Sequence, residues 1–368
     1  MSRTYVDVHI IQDLPPANLN RDDNGTPKQA IYGGVDRLRV SSQAWKRATR
    51  DHFEASMSSA EQGVRTRRLH GLLAELIESR GVSSDVAAAR AKDALGQLGI
   101  KADAKKEGFS SYLLFASRSH LEQLADALAG DDVDVKAINV KGILGSTHSL
   151  SVALFGRMVA DLAELNVDAA AQVAHAISTH AAQTQFDYFT AVDDEQQAKT
   201  EETGAGMIGT IEFNSATMYR YATVGVEQLV DNMGDREGAI AGIGQFISSF
   251  ASSMPSGKQN TFAAHTRPAL IAVVIRDDRP VNLVSAFEQS VTRTASSGLL
   301  EQSMKALGRY ASGEAERWGD RPRLVVASYA ESSGSHEALT TAFGPSVPVQ
   351  DLLRAVTDEL TARGGAGD

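Results

Sequence analysis

The chain has 368 residues, a formal net charge of -10 and no cysteine. The absence of cysteine excludes disulfides, thiol chemistry and a cysteine-based zinc site. The acidic balance argues against indiscriminate nucleic-acid binding but permits a single basic groove.

The N-terminal part predicts a strand, a long loop and a strand-to-helix unit. Residues 3–11 alternate apolar and polar side chains, which indicates a strand. Residues 13–34 are rich in proline and glycine and predict a long functional loop. Residues 37–40 are typical of a strand end, after which Ser41 and Ser42 signal a helix N-cap.

A basic run spans this strand and the helix start after it, with no acidic residue between its first and last members. Its cations are Arg37, Arg39, Lys46, Arg47 and Arg50. Gln43, Lys46 and Arg50 share one helical face. A helix start beside a row of cations suits a polyanion. A solvated basic face next to a buried Trp45 explains the same pattern, and both interpretations stay open.

The remaining elements alternate between helical and extended patterns. Residues 65–180 predict a mainly helical insertion, with its last helices at 152–165 and 169–180. Residues 190–209 are polar and predict a protruding loop or hairpin. The C-terminal elements are predicted as a strand at 210–224, a helix at 237–251, an acid-free loop at 252–268, and strands at 269–275 and 323–329.

Two pairs of adjacent acids require a catalytic alternative. Asp22-Asp23 and Asp193-Asp194 are candidates for a metal-dependent ribonuclease. Adjacent acids on loops also cap turns, and no metal-ligand histidine pattern lies near either pair. We therefore favour a chain that is not an enzyme and needs no metal or cofactor.

Six segments of this chain resemble one known family, in the family's order. They are LNRDD at 19–23, IYGGV at 31–35, RVSSQAWKRATR at 39–50, AVDD at 191–194, GTIEFNSATMYRYA at 209–222 and SGKQNTFAA at 256–264. The chain thereby resembles the CasC family, the backbone subunit of the type I-E CRISPR surveillance complex, Cascade. The last seventy-odd residues carry less of the resemblance.

Strands at both ends of the chain with helices between them predict an α+β sheet domain that is interrupted by an insertion. Within this α+β fold, the resemblance implies an RRM-like (ferredoxin-like) palm, an inserted helical fingers domain and a protruding thumb hairpin. The implied divisions are palm at 1–58, fingers at 59–180, palm at 181–189, thumb at 190–209, palm at 210–363 and a disordered tail at 364–368.

The family's function implies a non-catalytic subunit whose copies assemble head to tail along a CRISPR RNA. The implied partners are the CRISPR RNA, the target DNA strand through the guide, further copies of the chain, the large, small, 5′-end and 3′-end capping subunits, and a recruited helicase-nuclease. No signal peptide or membrane-length apolar run is recognised, so no membrane partner and a cytoplasmic location are expected.

The resemblance also implies site residues. Those expected to bind RNA are Arg21, Lys28, Ser41, Gln43, Lys46, Arg50, Lys258 and Gln259. Met207 and Ile208 are expected to form the apolar thumb wedge that displaces a nucleotide. Two alternatives stay open: Arg21 could pair with Asp22 or Asp23, and the wedge residues could anchor the hairpin to its own palm.

Overall fold

The computed structural model describes residues 3–159, 162–192, 205–330 and 335–362. Eleven strands are present in these ranges: β1 Tyr5–Ala17, β2 Gln29–Tyr32, β3 Val35–Val40, β4 Gly63–Thr66, β5 Leu114–Ser117, β6 Ala171–Val173, β7 Ala176–Ser178, β8 Gln185–Val192, β9 Ala205–Gly225, β10 Leu270–Arg276 and β11 Leu324–Tyr329.

The same ranges contain twelve α-helices: α1 Ser42–Glu54, α2 Leu69–Glu78, α3 Ser84–Gln97, α4 Arg118–Leu128, α5 Val140–Leu144, α6 Leu150–Phe155, α7 Val226–Met233, α8 Arg236–Ser252, α9 Gln259–Phe262, α10 Leu299–Trp318, α11 His336–Phe343 and α12 Val349–Ala362. None of these helices combines the length and the apolar character that a bilayer-spanning helix needs.

The centre of the fold is an antiparallel sheet between two helical layers. Its strand order is β11-β10-β1-β9-β7-β3-β2, and β6 and β8 also pair with β9. Alternate residues of β1 face opposite layers. Val8 packs in a core with Trp45 of α1 and Phe250 of α8, whereas Ile11 packs with Leu307 of α10 and Phe343 of α11. The predicted α+β class is confirmed.

The helical region inserted after α1 has its own core. Leu73 of α2, Leu95 of α3 and Leu124 of α4 are buried together there. The β4–β5 hairpin contributes Leu114 to the same cluster. The limits of this region at 59 and 180 stay predictions, as do the other domain boundaries, and the tail predicted at 364–368 lies outside the described residues.

The predicted loop at 13–34 is wrong in part, because strands occupy both of its ends. The first strand runs on to Ala17, since Leu14 and Ala17 continue its buried positions. A register shift between these two residues accommodates Pro15 and Pro16, which cannot donate ladder hydrogen bonds. The far end of the loop forms β2, which pairs with β3.

The helices predicted at 152–165 and 169–180 are also wrong. The first ends at Phe155, because Gly156 has a left-handed φ of 74° that breaks the helix. The second segment forms β6 and β7, which pair with the long strand β9. Alanine favours helix locally, but pairing with β9 buries Ala171 and Ala176 in the sheet and overrides that preference.

Candidate nucleic-acid interface

Helix α1 is fixed by its cap and its buried face. The Ser41 side chain accepts a hydrogen bond from the Ala44 N–H at 3.3 Å, as the sequence predicted. Trp45, Thr49 and Phe53 are buried against the sheet. Gln43, Lys46 and Arg50 lie along one side of the helix next to this buried face, with Gln43 exposed and Lys46 and Arg50 half-buried.

A cleft of about 1030 Å³ opens between α1 and the helical region. Its lining includes five cationic residues, Lys46, Arg47, Arg50, Arg65 and Arg157, and one acid, Asp168. Apolar side chains lie among these charges, and Met158 and Leu113 are exposed there by 86% and 49%. A positive cleft with apolar patches suits a single-stranded nucleic acid, whose phosphates and bases need both kinds of surface.

Lys46 is the clearest candidate contact in the cleft. Its side chain is half-buried, and no ion pair or hydrogen bond in the described ranges involves its ammonium group. Partial burial lowers the pKa of Lys46 below its ordinary value. An uncompensated cation of this kind is stabilised by an anion that enters the cleft.

Arg50 lies in the same cleft but already has partners. Its guanidinium pairs with Asp51 at 3.0 Å and with Glu54 at 3.5 Å, and it lies 5.7 Å from the Phe115 ring. Glu54 also accepts hydrogen bonds from the Gly63 N–H and from Ser151. Arg50 therefore links α1 to the helical region as well as facing the cleft.

Gln43 and Ser41 occupy the start of the helix in different environments. Gln43 is exposed on the cleft wall. Ser41 is only 6% exposed, and its backbone N–H donates to Asn20 Oδ1 at 2.8 Å. Asn20 thus fastens the N-terminal loop to the helix start.

The loop carrying Arg21 and Lys28 forms a compact turn beside α1. Asp22 accepts hydrogen bonds from the N–H groups of Asn24 and Thr26, which supports the turn-cap interpretation of that acid. Arg21 is exposed, and no ion pair joins it to Asp22 or Asp23 among the described residues. The alternative of an internal salt bridge for Arg21 is therefore not observed.

The predicted loop at 252–268 contains the single-turn helix α9, which begins at Gln259 directly after Lys258 and packs on β1. Lys258 has a left-handed φ of 50°, and no ion pair in the described part of the chain involves its side chain. The Gln259 amide donates to the Pro255 carbonyl at 3.1 Å and accepts from the Ala264 N–H at 3.0 Å. Gln259 thus holds the loop together, while the Lys258 ammonium group is available to a ligand.

The thumb segment is a hairpin formed by β8 and the first part of β9. In its register, Ala191 pairs with Met207 and Thr190 with Ile208. The side chains of Met207 and Ile208 lie outside the described part of the chain, and so do Asp193 and Asp194. The hairpin also exposes Phe186 by 67% and Tyr188 by 63% on one strand face, a pair that the sequence analysis missed. Phe186 and Tyr188 are two residues apart, a spacing that places both side chains on the same face of a strand, and this is the sequence signal that could have identified them.

The other arginines of the basic run have three different environments. Arg37 is buried and donates to the carbonyls of Ser178 and Phe287 at 3.1 and 2.9 Å, so backbone carbonyls rather than an acid hold its guanidinium among the described residues. Arg47 is 78% exposed at its side chain and pairs with Asp51 at 3.4 Å. Arg39 contacts His175.

Two arginines of the cleft were missed because they are distant in sequence from α1. Arg65 lies on β4, and Arg157 follows α6. Arg157 is 4% exposed and donates to the carbonyls of Leu165 and Leu144 at 2.6 and 3.0 Å. Burial lowers the pKa of Arg157 to about 10, and none of the described acids forms an ion pair with it. No local sequence signal marks either residue, since only the tertiary fold brings them to α1.

Comparisons with known proteins agree with this architecture. A chain of a solved "CRISPR RNA-guided surveillance complex, pre-nicking" has a TM-score of 0.84 and 34% identity, over 97% of this chain and 100% of that one. A chain of a solved "CRISPR RNA-guided surveillance complex" has a TM-score of 0.72 and 29% identity, over 95% of this chain and 99% of that one. No curated protein matches. The family described as CT1975-like protein matches residues 6–354, so the chain belongs to this family.

Proposed function

We propose that this chain is a CRISPR RNA-binding backbone subunit of a CRISPR surveillance complex. The observation that carries the proposal is Lys46, a half-buried cation without an acidic partner among the described residues, on the wall of a basic cleft. The whole-length similarity to chains of two RNA-guided surveillance complexes supports the same function.

The cleft suits sequence-independent binding of the guide. Lys46 and Arg50 contribute positive charge from α1, and Arg21 and Lys28 contribute it from the neighbouring loop. Such side chains contact phosphate and ribose and carry no base preference. The guide's bases then remain free to pair with target DNA, and Watson–Crick pairing supplies the specificity.

We further propose the type I-E form of this complex, in antiviral defence. Copies of the chain pack head to tail along one CRISPR RNA, and a head-to-tail contact that does not close generates a helical filament. The thumb hairpin of one copy covers the RNA on its neighbour. Large, small and capping subunits complete the cytoplasmic complex, which recruits a separate helicase-nuclease.

The subunit is proposed to do no chemistry itself. The Asp22 carboxylate is occupied as a turn cap, which supports a structural role for that acid over catalysis. Cleavage of the target is left to the recruited nuclease. Incubation of the purified complex with labelled CRISPR RNA and Mg²⁺ tests this point, and the RNA should remain intact.

The decisive experiment is co-purification of the tagged chain with the products of its neighbouring genes. We expect one uniform repeat-spacer RNA, detected by the 260/280 nm absorbance ratio and by sequencing. Lys46→Ala/Arg50→Ala should lower the recovered RNA about tenfold or more, because each charged contact contributes about 1.5–3 kcal/mol.

A charge-matched control distinguishes loss of the cleft contacts from a general loss of positive charge. Lys92→Ala/Arg354→Ala removes one lysine and one arginine from exposed helix positions and should retain the RNA. Because Arg50 also anchors Glu54, Lys46→Ala alone serves as the test if the double variant is unstable. Random RNA fragments, RNA-free protein, or Mg²⁺-dependent cleavage lost on Asp22→Ala would each contradict the proposal.

A further inference from the structure

A second group of cations lies outside the cleft lining and includes Arg39, which belongs to β3 rather than to α1. The Arg39 Nε donates to the Gln29 carbonyl at 3.2 Å, and its Nη1 lies 3.0 Å from His175 Nδ1. Among the described residues no acid lies within ion-pair distance of Arg39, and no hydrogen bond uses its Nη2. Arg39 is therefore oriented by neutral groups and keeps its charge uncompensated.

The contact with Arg39 decides which nitrogen of His175 carries the proton. A guanidinium can only donate, so His175 Nδ1 accepts, and a neutral ring must then carry its proton on Nε2. Partial burial, followed by the charges of Arg39 and Lys28, lowers the pKa of His175 and so favours the neutral ring. The exposed ring thus offers an Nε2–H donor to a ligand.

Backbone pairing holds this histidine in place. His175 lies between β6 and β7, and Val40 and Arg39 of β3 pair with Ala176 and Ile177 of β7. The position of the ring therefore follows from the sheet rather than from a mobile loop.

Lys28 is the third member of the group. The Arg39 N–H donates to the Lys28 carbonyl at 2.9 Å, which places the two residues side by side. The Lys28 N–H donates to the Asn20 carbonyl at 2.9 Å, and Asn20 Oδ1 accepts from the N–H of Ser41, the N-cap residue of α1. No ion pair in the described ranges involves the Lys28 ammonium group. The group is thus built onto the same framework as the cleft.

We propose that Lys28, Arg39 and His175 together bind one phosphodiester of single-stranded RNA, beyond the contacts made by α1. Lys28 and Arg39 supply the positive charge, and His175 supplies a neutral N–H donor to a phosphate oxygen. This inference rests on the proposed function, since it extends the RNA path from the cleft along β3.

The test is binding of fluorescein-labelled oligo-uridine to the full-length chain, measured by anisotropy over a series of salt concentrations. Arg39→Gln should weaken binding about tenfold. It should also reduce the magnitude of the log–log salt slope by about 0.7, the value for one lost phosphate contact on a single strand. His175→Ala should weaken binding without changing the slope, because the ring is neutral.

Matched controls are Arg354→Gln and His336→Ala, which alter exposed residues on α12 and α11 and should leave both readouts unchanged. A folded Arg39→Gln variant with the wild-type salt slope would overturn the inference and leave Arg39 a structural residue. If Arg39→Gln does not fold, His175→Ala decides instead, because Lys28 already has an RNA contact under the proposed function; unchanged RNA affinity in folded His175→Ala would then overturn the inference. Failure of the wild-type chain to bind RNA would instead refute the proposed function.

Discussion

Neighbouring residues of one basic run have different roles because their side chains meet different surroundings. Arg37 is buried among backbone carbonyls, and Arg50 is paired with Glu54. Lys46 lacks an acidic partner among the described residues. A run of positive charge in a sequence therefore makes anion binding a hypothesis, and the surroundings of each cation decide which of them is free to bind an anion.

At the residue scale, Lys258 allows the backbone and the charge to be tested separately. Its φ of 50° is unfavourable for a side chain and favourable for glycine. Lys258→Gly should therefore keep or raise the free energy of unfolding, by up to about 1 kcal/mol, while lowering RNA affinity. Urea denaturation and RNA anisotropy measure the two effects.

Lys258→Ala is the matched control for this prediction, because it removes the same charge without relieving the backbone. It should lower RNA affinity equally and bring no stabilisation. Unchanged affinity in both variants would remove Lys258 from the proposed RNA-binding set.

At the scale of elements, α1 contacts both the core around the sheet and the inserted helical region, and it forms one wall of the cleft. Its inner face packs Trp45 against Phe250, with ring centroids 6.4 Å apart. Its end reaches the helical region through Glu54, which accepts from the Gly63 N–H at 3.0 Å. The position of this one helix therefore determines the geometry of the cleft.

The cap of α1 should contribute measurably to stability. Ser41→Ala removes the acceptor for the Ala44 N–H and should lower the free energy of unfolding by about 1 kcal/mol. Ser41→Gly should cost only a few tenths of a kcal/mol, because glycine is itself accepted at helix N-caps. Urea denaturation of both variants measures the difference.

The same pair of variants tests the RNA contact predicted for Ser41. Both lack the hydroxyl, so a direct contact predicts equal losses of RNA affinity in the two. An affinity loss confined to Ser41→Ala would instead indicate that the hydroxyl acts only through the helix cap.

At the scale of the whole molecule, a buried polar network joins the first strand of the sheet, β1, to the later strands β9 and β10. Asp7 accepts from the Tyr221 hydroxyl at 2.8 Å and from Arg276 Nε at 3.2 Å. His9 Nδ1 lies 2.9 Å from the Tyr219 hydroxyl. These groups connect β1, β9 and β10, so their protonation is linked to global unfolding.

Stability should therefore decline as the solution is acidified. Burial, followed by the charge of Arg276, lowers the pKa of His9 from 6.5 to about 3. Between pH 6.5 and about pH 3, the His9 imidazole is therefore protonated in the unfolded chain but neutral in the native chain. Stability should fall through that window by about 1.4 kcal/mol per pH unit from His9.

Urea denaturation at pH 6.5 and pH 5 tests the effect, with His9→Gln beside the wild type. The wild type should lose about 2 kcal/mol more than His9→Gln between these values. Burial raises the pKa of Asp7, so protonation of Asp7 favours the native state as the pH falls, and this effect is the same in the wild type and in His9→Gln. An equal pH dependence of the two proteins would contradict the assignment, and His336→Ala, an exposed change, should behave as the wild type.

Local patterns in the sequence were sufficient for the α+β class, the Ser41 cap, the α1 face with Lys46 and the long strand β9, because each depends on residues close in the chain. Contacts between distant segments determined the rest. Pairing with β9 turned an alanine-rich segment into β6 and β7, and folding of the helical region brought Arg65 and Arg157 to the cleft. The partners of Arg37, Arg39 and Arg50 also come from the folded chain, since burial and pairing energies depend on what tertiary packing places beside each charge.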